Sequence, residues 1–237
     1  MFVDIHHHLI HGVDDGPQTF EDTQKMLIHA SEQGVSHIVA TSHATPGREA
    51  FPADRYLRHL DQAQQWCDEQ GLNLTIHSGC EVLYTDESPR LLHEGYVPTL
   101  AQTWVVLAEF FPMDSFERLC QAARALGNEG FTVVVAHVER YKALQSMKHV
   151  EELREEYAVK MQMNCNTLLT KKGFLTDRWV RKMIENGYID YVASDAHNVS
   201  SRPCSMQSCY ELLKNKYGED TANALCFENQ MELLGLQ

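Results

Sequence analysis

Short apolar runs recur along this chain, and nearly every one ends in a histidine or a carboxylate. The runs Phe2–Ile5, His37–Ser42, Leu74–Cys80, Trp104–Ala108, Thr132–Ala136, Lys160–Asn164 and Tyr191–Ser194 have the length of strands. Stretches of helical periodicity separate them. Phe20–Gln33 has Thr19 placed to cap it and Gly34 to end it. Arg55–Gln70, Asp114–Glu129, Asp177–Asn186 and Ser205–Tyr217 are closed by Gly71, Gly130, Gly187 and Gly218. Such alternation predicts an α/β chain with a parallel sheet covered by helices. Seven units suit a barrel, and an open doubly wound sheet is the alternative. No G-x-G-x-x-G follows the first run, so the dinucleotide-binding form of the open sheet lacks its main support. No linker or repeat divides the 237 residues, and a single domain over 1–237 is expected.

The strand ends carry the chemistry. The first ends in His6 and His8, the second in His43, the third in Glu81 and the fourth in Glu109. The fifth ends in His137, the sixth in Asn164 and Asn166, and the seventh in Asp195 and His197. In a parallel barrel these ends open on one face, where such folds place their active sites. The two-residue period of a strand puts His6 and His8 on one side and turns His7 away; it pairs Asp195 with His197 likewise. Imidazoles with carboxylates and no thiolate form the ligand set of a catalytic Mn²⁺, Fe²⁺ or Zn²⁺ site. With Asp15 available from the first loop, the donors exceed the needs of one ion, so two or three are expected, with Glu81 as a bridge. His29, His37, His59, His77, His93 and His149 read as packed or solvated, and His11 lies near the pocket mouth.

Composition narrows the partners. The net charge of −13 disfavours a nucleic-acid backbone as a ligand. Seven cysteines without a C-x-x-C pair argue against a disulfide framework or a thiolate zinc site. No apolar run is long enough for membrane insertion. Asp4 and three histidines break the N-terminal apolar run, which is unlike a signal peptide, so a cytoplasmic protein is expected.

The segments "DIHHHLIHGVDDGP", "ATSHATPG", "GCEVLY", "LAEF", "VAHVERY" and "ASDAHNVSSRP" occur in this order. Together they resemble the polymerase-and-histidinol-phosphatase (PHP) superfamily, and within it the bacterial capsule-type, CpsB/CapC-like protein tyrosine phosphatases. The resemblance implies a distorted (β/α)₇ TIM-like barrel and a trinuclear metal site, most often Mn²⁺, with Fe²⁺, Zn²⁺ or Co²⁺ as alternatives. It implies that His6, His8, Glu81 and Asp195 hold a first ion, Glu81, Glu109 and His137 a second, and Asp15, His43 and His197 a third. Arg140 and Arg202 follow as phosphate clamps. Each lies shortly after a strand-end ligand, and the guanidinium fork matches phosphate oxygens.

The reaction implied is phosphotyrosine hydrolysis by a metal-activated hydroxide, a phosphoric monoester hydrolase activity. The implied partner is a phosphotyrosine protein, such as a capsule or exopolysaccharide tyrosine autokinase. His197 or His43 is the candidate proton donor to the leaving group. The thiol route to the same reaction requires Arg six residues after Cys. Those positions hold Asn73, Asp86, Leu126, Lys171, Tyr210, Asn215 and Glu232, so that route is excluded. A small-molecule enzyme such as a histidinol-phosphatase would use nearly the same ligands. An amidohydrolase-like metal hydrolase is a further alternative, although Glu109 stands where that class typically carries a carbamylated lysine. The loop Ala44–Ala53, with Arg48 and Phe51, is considered as a lid. Phe110, Phe111 and Tyr141 are considered as partners for a phenyl ring.

Overall fold

The computed structural model describes residues 1–236. Its seven strands are β1 (Phe2–His7), β2 (Val35–Ala44), β3 (Thr75–Leu83), β4 (Val105–Glu109), β5 (Thr132–Val135), β6 (Lys160–Asn164) and β7 (Tyr191–Ala193). They pair in parallel in sequence order. Between β7 and β1 the bridge runs from His7 to Ala196, beyond the end of β7. The barrel expected from the sequence is therefore what forms, nearly closed.

Helices α1 (Phe20–Glu32), α2 (Ala53–Gln70), α3 (Ser88–His93), α4 (Phe116–Asn128) and α5 (Met147–Tyr157) follow the first five strands. After β6 come α6 (Cys165–Leu169) and α7 (Phe174–Glu185), and after β7 come α8 (Met206–Tyr217), α9 (Glu219–Asn223) and α10 (Asn229–Leu234). Thr19 caps α1 as expected, in a capping box with Asp22. Helix α5 escapes the sequence reading because MKHVEELREEY is mostly polar, and its last turn closes on Ala158 at φ 53° rather than on glycine.

The strands have two apolar faces. One packs under the helices. The other fills the barrel with Val3, Ile5, Val39, Val105, Leu107, Val134, Ala136, Tyr191 and Ala193, joined by Leu100 and Leu234 from outside the sheet. Space inside is tight at Gly79, where an added Cβ would meet Val39 Cγ1 at 2.6 Å and Leu100 Cδ2 at 3.0 Å. Gly79→Ala is expected to destabilise the protein by about 1–3 kcal/mol through overpacking, read as a lower melting temperature. An unchanged melting temperature would mean that Val39 and Leu100 both give way without cost.

Candidate metal and phosphate site

Above this apolar filling the inward positions turn polar. On β2 the inward series runs His37, Val39, Thr41, His43; on β3 it runs His77, Gly79, Glu81; on β4 it runs Val105, Leu107, Glu109. Strand alternation alone therefore delivers His43, Glu81 and Glu109 to one layer.

Two positions need more than alternation. In β1 the inward residues are Val3 and Ile5, so His7 is next in phase, yet His6 and His8 face the site. The pairing explains this: Asp4 lies opposite Ile38 and His7 opposite Ala40, three steps against two. That is a bulge, and it flips the phase of the strand. The His7 N–H then donates to Thr41 Oγ1 at 2.9 Å, and its ring turns outward to Asp4, with Nδ1 3.0 Å from Oδ2. The second position is His137, which comes one residue after the inward Ala136 at φ 32°, just past β5. Asp195 likewise lies past β7 at φ 53°. Left-handed backbone at two non-glycine residues of one site is strain that the surroundings hold in place.

The side chains converge closely. His6 Nε2 and His8 Nε2 are 3.3 Å apart, and Glu81 Oε2 is 3.2 Å from each. Asp195 Oδ1 lies 3.4 Å from His6 and 3.6 Å from His8. His137 Nε2 is 2.6 Å from Glu81 Oε1 and 3.4 Å from Glu109 Oε1. His43 approaches Glu81 at 3.2 Å and Asp15 at 3.4 Å, and His197 Nε2 approaches Asp15 at 3.2 Å. Every ligand candidate read from the sequence is thus in one cluster. Within it, His6, His8 and Glu81 form a set with donor atoms within 4.8 Å of one another. His43, Glu81 and Glu109 form a second, and His8, Asp15, His43 and His197 a third.

The outward nitrogens of these rings are held by groups the sequence reading did not single out. His8 Nδ1 donates to Asp14 Oδ2 at 2.8 Å, and His6 Nδ1 to Gln162 Oε1 at 3.1 Å. His137 Nδ1 meets the Tyr141 hydroxyl at 3.2 Å, and His197 Nδ1 donates to the Asp195 carbonyl at 3.0 Å. Each contact leaves Nε2 aimed at the cluster, the arrangement that orients metal-bound histidines. His197 Nε2 is buried and forms no hydrogen bond. Donor chemistry and orientation therefore fit divalent cations. Gln162 could have been found by stepping two residues back from Asn164; Asp14 carries no signal that separates it from Asp15.

Electrostatics follow from the crowding of acids and imidazoles. Burial opposes charge on His8, but the Asp14 and Glu81 carboxylates outweigh it and raise its pKa to about 10. His137 is raised to about 9 against the same burial by Glu109 and Glu81. His197 goes the other way, lowered to about 4 by burial and by His8. Burial also opposes ionisation of Glu81, yet the surrounding histidines hold its carboxyl well below the usual range.

Both arginines read from the sequence reach the rim. Arg140 Nη2 is 2.6 Å from Asp195 Oδ2, and Arg202 Nη2 lies 3.0 Å from both oxygens of Asp195. With Asn164, Asn166 and Ser201 they line a cavity of about 230 Å³. Asn164 Nδ2 donates to Asp195 Oδ2 at 2.7 Å.

Other expectations are corrected. Phe110 and Tyr141 are buried, and the Tyr141 hydroxyl accepts from the Phe110 N–H, so neither is open to a substrate ring. Phe111 is exposed. His11 does not reach the cluster: it stacks on His59 at 3.8 Å and 4°, and its carbonyl accepts from His59 Nδ1. Phe51 leans on Tyr56 at 5.2 Å, which ties one end of the loop considered as a lid to the core.

The parallel barrel, with a histidine and carboxylate cluster at the strand ends, defines a TIM-like barrel of the kind shared by PHP phosphatases and amidohydrolases. The model of the family "Capsular polysaccharide synthesis, CpsB/CapC" matches residues 2–235, and the chain belongs to that family. Tyrosine-protein phosphatase CpsB of Streptococcus pneumoniae is 31% identical over 98% of both chains. Crystal structures of YwqE from Bacillus subtilis and CpsB from Streptococcus pneumoniae, described as unique metal-dependent tyrosine phosphatases, share the fold. The match has a TM-score of 0.89 at 24% identity, covering 99% of this chain and 95% of the other. Histidinol phosphate phosphatase from Lactococcus lactis, solved with zinc, L-histidinol and phosphate, superposes with a TM-score of 0.59 at 13% identity over 93% of each chain, a likeness of fold alone.

Proposed function

We propose that this chain is a metal-dependent protein tyrosine phosphatase acting on a phosphotyrosine protein, such as a capsule-assembly tyrosine autokinase in the cytoplasm. The observation that carries this reading is the juxtaposition of a nine-residue ligand cluster with two guanidinium groups on a single carboxylate, Asp195. The family and the names of its curated members support it. In this reading three divalent ions, Mn²⁺ foremost, are held by His6, His8, Glu81 and Asp195, by Glu81, Glu109 and His137, and by Asp15, His43 and His197. When bound, such ions activate a water nucleophile and neutralise charge on phosphoryl oxygens.

The chain's own groups do the rest. Arg140 and Arg202 offer N–H forks to the phosphate and release Asp195 from part of its present load. Asn164 holds the Asp195 carboxylate in place during that exchange. His197, lowered to about 4 by burial and by His8, is neutral at physiological pH, as a metal ligand must be. A tyrosine phenol has a pKa near 10, so its oxygen leaves with less protonation than an alkoxide requires. The thiols take no part. Six of the seven cysteines are buried, and burial raises Cys67 to about 11 and Cys165 well above its ordinary value.

Hydrolysis of a phosphotyrosine peptide and of histidinol phosphate, with Mn²⁺ and with EDTA, tests the reading. Expected is a preference for the peptide that EDTA abolishes and thiol alkylation leaves intact. Preference for histidinol phosphate would move the protein to small-molecule chemistry on the same ligands. Activity that survives EDTA and is lost on alkylation would remove the metal reading.

A further inference from the structure

The acidic protein carries a basic, apolar patch beside the proposed phosphate cavity. Phe174 and Leu175, at the start of α7, are 79% and 78% exposed. Met113 and Phe111, just past β4, are 71% and 53% exposed. The two pairs flank the segment 138–145 that carries Arg140. On one side Lys142 N–H donates to the Pro112 carbonyl at 3.0 Å; on the other, Trp179 Nε1 of α7 donates to the Leu144 carbonyl at 2.9 Å.

Neither exposed pair hangs on a loose loop. Asp114 accepts from the Phe111 N–H at 2.9 Å, and Asp177 accepts from the Lys172 N–H at 3.0 Å. These bonds tie both carboxylates to backbone, while Lys142, Lys171 and Lys172 stay exposed. A second cavity of about 390 Å³, with Glu139, Thr167, Lys172 and Thr176 in its wall, shares Arg140, Asn164 and Asn166 with the phosphate cavity; Glu139 Oε1 there accepts from the Asn164 N–H and the Thr167 hydroxyl. The cavities thus lead from the proposed phosphate position to Lys172 and Thr176, the residues that bracket Phe174 and Leu175 in sequence.

Resting on the phosphatase reading, we propose that this second cavity and its apolar edge form a docking subsite for the substrate chain beside the phosphotyrosine, selecting an aromatic or aliphatic residue accompanied by a carboxylate. The apolar side chain covers Phe174 and Leu175, and the carboxylate meets Lys171 or Lys172. Exposed apolar groups of this size are otherwise a solubility liability, and covering them supplies the affinity. Lysines around them supply charge complementarity and selectivity.

The test uses two phosphotyrosine peptides of equal length, one flanked by Phe and Asp and one by Gly and Ser. Each rate is divided by the p-nitrophenyl phosphate turnover of the same preparation. The wild-type protein is expected to favour the Phe/Asp peptide by about tenfold in kcat/KM, carried by KM, the effect of burying one large side chain. The double variant Phe174→Ser/Leu175→Ser is expected to lose that preference, and Lys171→Glu/Lys172→Glu to reverse the contribution of Asp. Equal rates on the two peptides, or a preference that survives the double variant, would overturn the proposal. So would sedimentation with phosphatidylglycerol vesicles that depends on Phe174 and Leu175 without any peptide preference, since the patch would then belong to a membrane. Fluorescence anisotropy of the labelled peptides reads docking without turnover. If p-nitrophenyl phosphate is not hydrolysed with Mn²⁺, the phosphatase reading fails, while the anisotropy difference still decides the subsite.

Discussion

Glu81→Gln is expected to lower kcat/KM on a phosphotyrosine peptide by at least about 10³-fold and to remove bound metal from the purified protein. Glu81 is 1% exposed, and its two oxygens lie within 3.2 Å of His6, His8, His43 and His137. No other carboxylate of the cluster reaches four imidazoles at that distance among the described residues. In the proposed assignment it bridges two ions, and glutamine keeps its shape while removing the charge. Loss of several kcal/mol of charge stabilisation corresponds to a thousandfold or more in rate. Metal content by elemental analysis, alongside circular dichroism to show an intact fold, separates ligand loss from unfolding. Full metal content with full activity would take Glu81 out of the ligand set.

Metal affinity is expected to climb steeply with pH, by about 100-fold per unit around neutrality, with release of two protons per loaded protein. Without metal, His8 and His137 have pKa values of about 10 and about 9, so both are protonated at pH 7. A metal takes the neutral ring, so loading must expel those protons. The steepness falls away above pH 9 and is gone above pH 10, where the metal-free rings are already neutral. The same shifts stabilise the metal-free fold: the contribution is complete below the unfolded histidine value near 6.5 and disappears as pH rises through 9 to 10. Calorimetric titration with Mn²⁺ in buffers of different ionisation enthalpy counts the protons. Affinity that does not change with pH, or a proton count of zero, would contradict this account.

The ease with which this site reads from the sequence has a physical basis. His43, Glu81 and Glu109 stand at strand tops in phase with apolar residues below them, so alternation alone carries them into the pocket. Where the backbone leaves that phase, pattern is insufficient. Three consecutive histidines hide which of them face inward until the bulge between Asp4 and His7 is known. Sequence spacing placed His6 and His8 together correctly, but the phase of Val3 and Ile5 would have selected His7. His137 and Asp195 depend on left-handed turns that no glycine announces. Asp14 and Gln162 were not found because they act on the far side of a ring, where neither period nor motif points. Phe110 and Tyr141 misled for the opposite reason: they are beside ligands in sequence and under them in space.

Asp4 gives the seam of the barrel a temporal meaning. Its carboxylate accepts from the Ser194 N–H and hydroxyl and from the His6 N–H, joining the first strand to the last where the sheet ladder is nearly absent. Next to its partners Ser194 and His6 stand Asp195 and His7, with His8 one residue further on. Closing this seam spans a sequence separation of 190 residues, so it is among the most entropically demanding contacts the chain makes. A chain emerging from the ribosome holds seven of the nine ligand residues long before Asp195 and His197 exist to meet them. The pocket therefore matures only with the last strand, and metal capture becomes a report that the first and last strands have met.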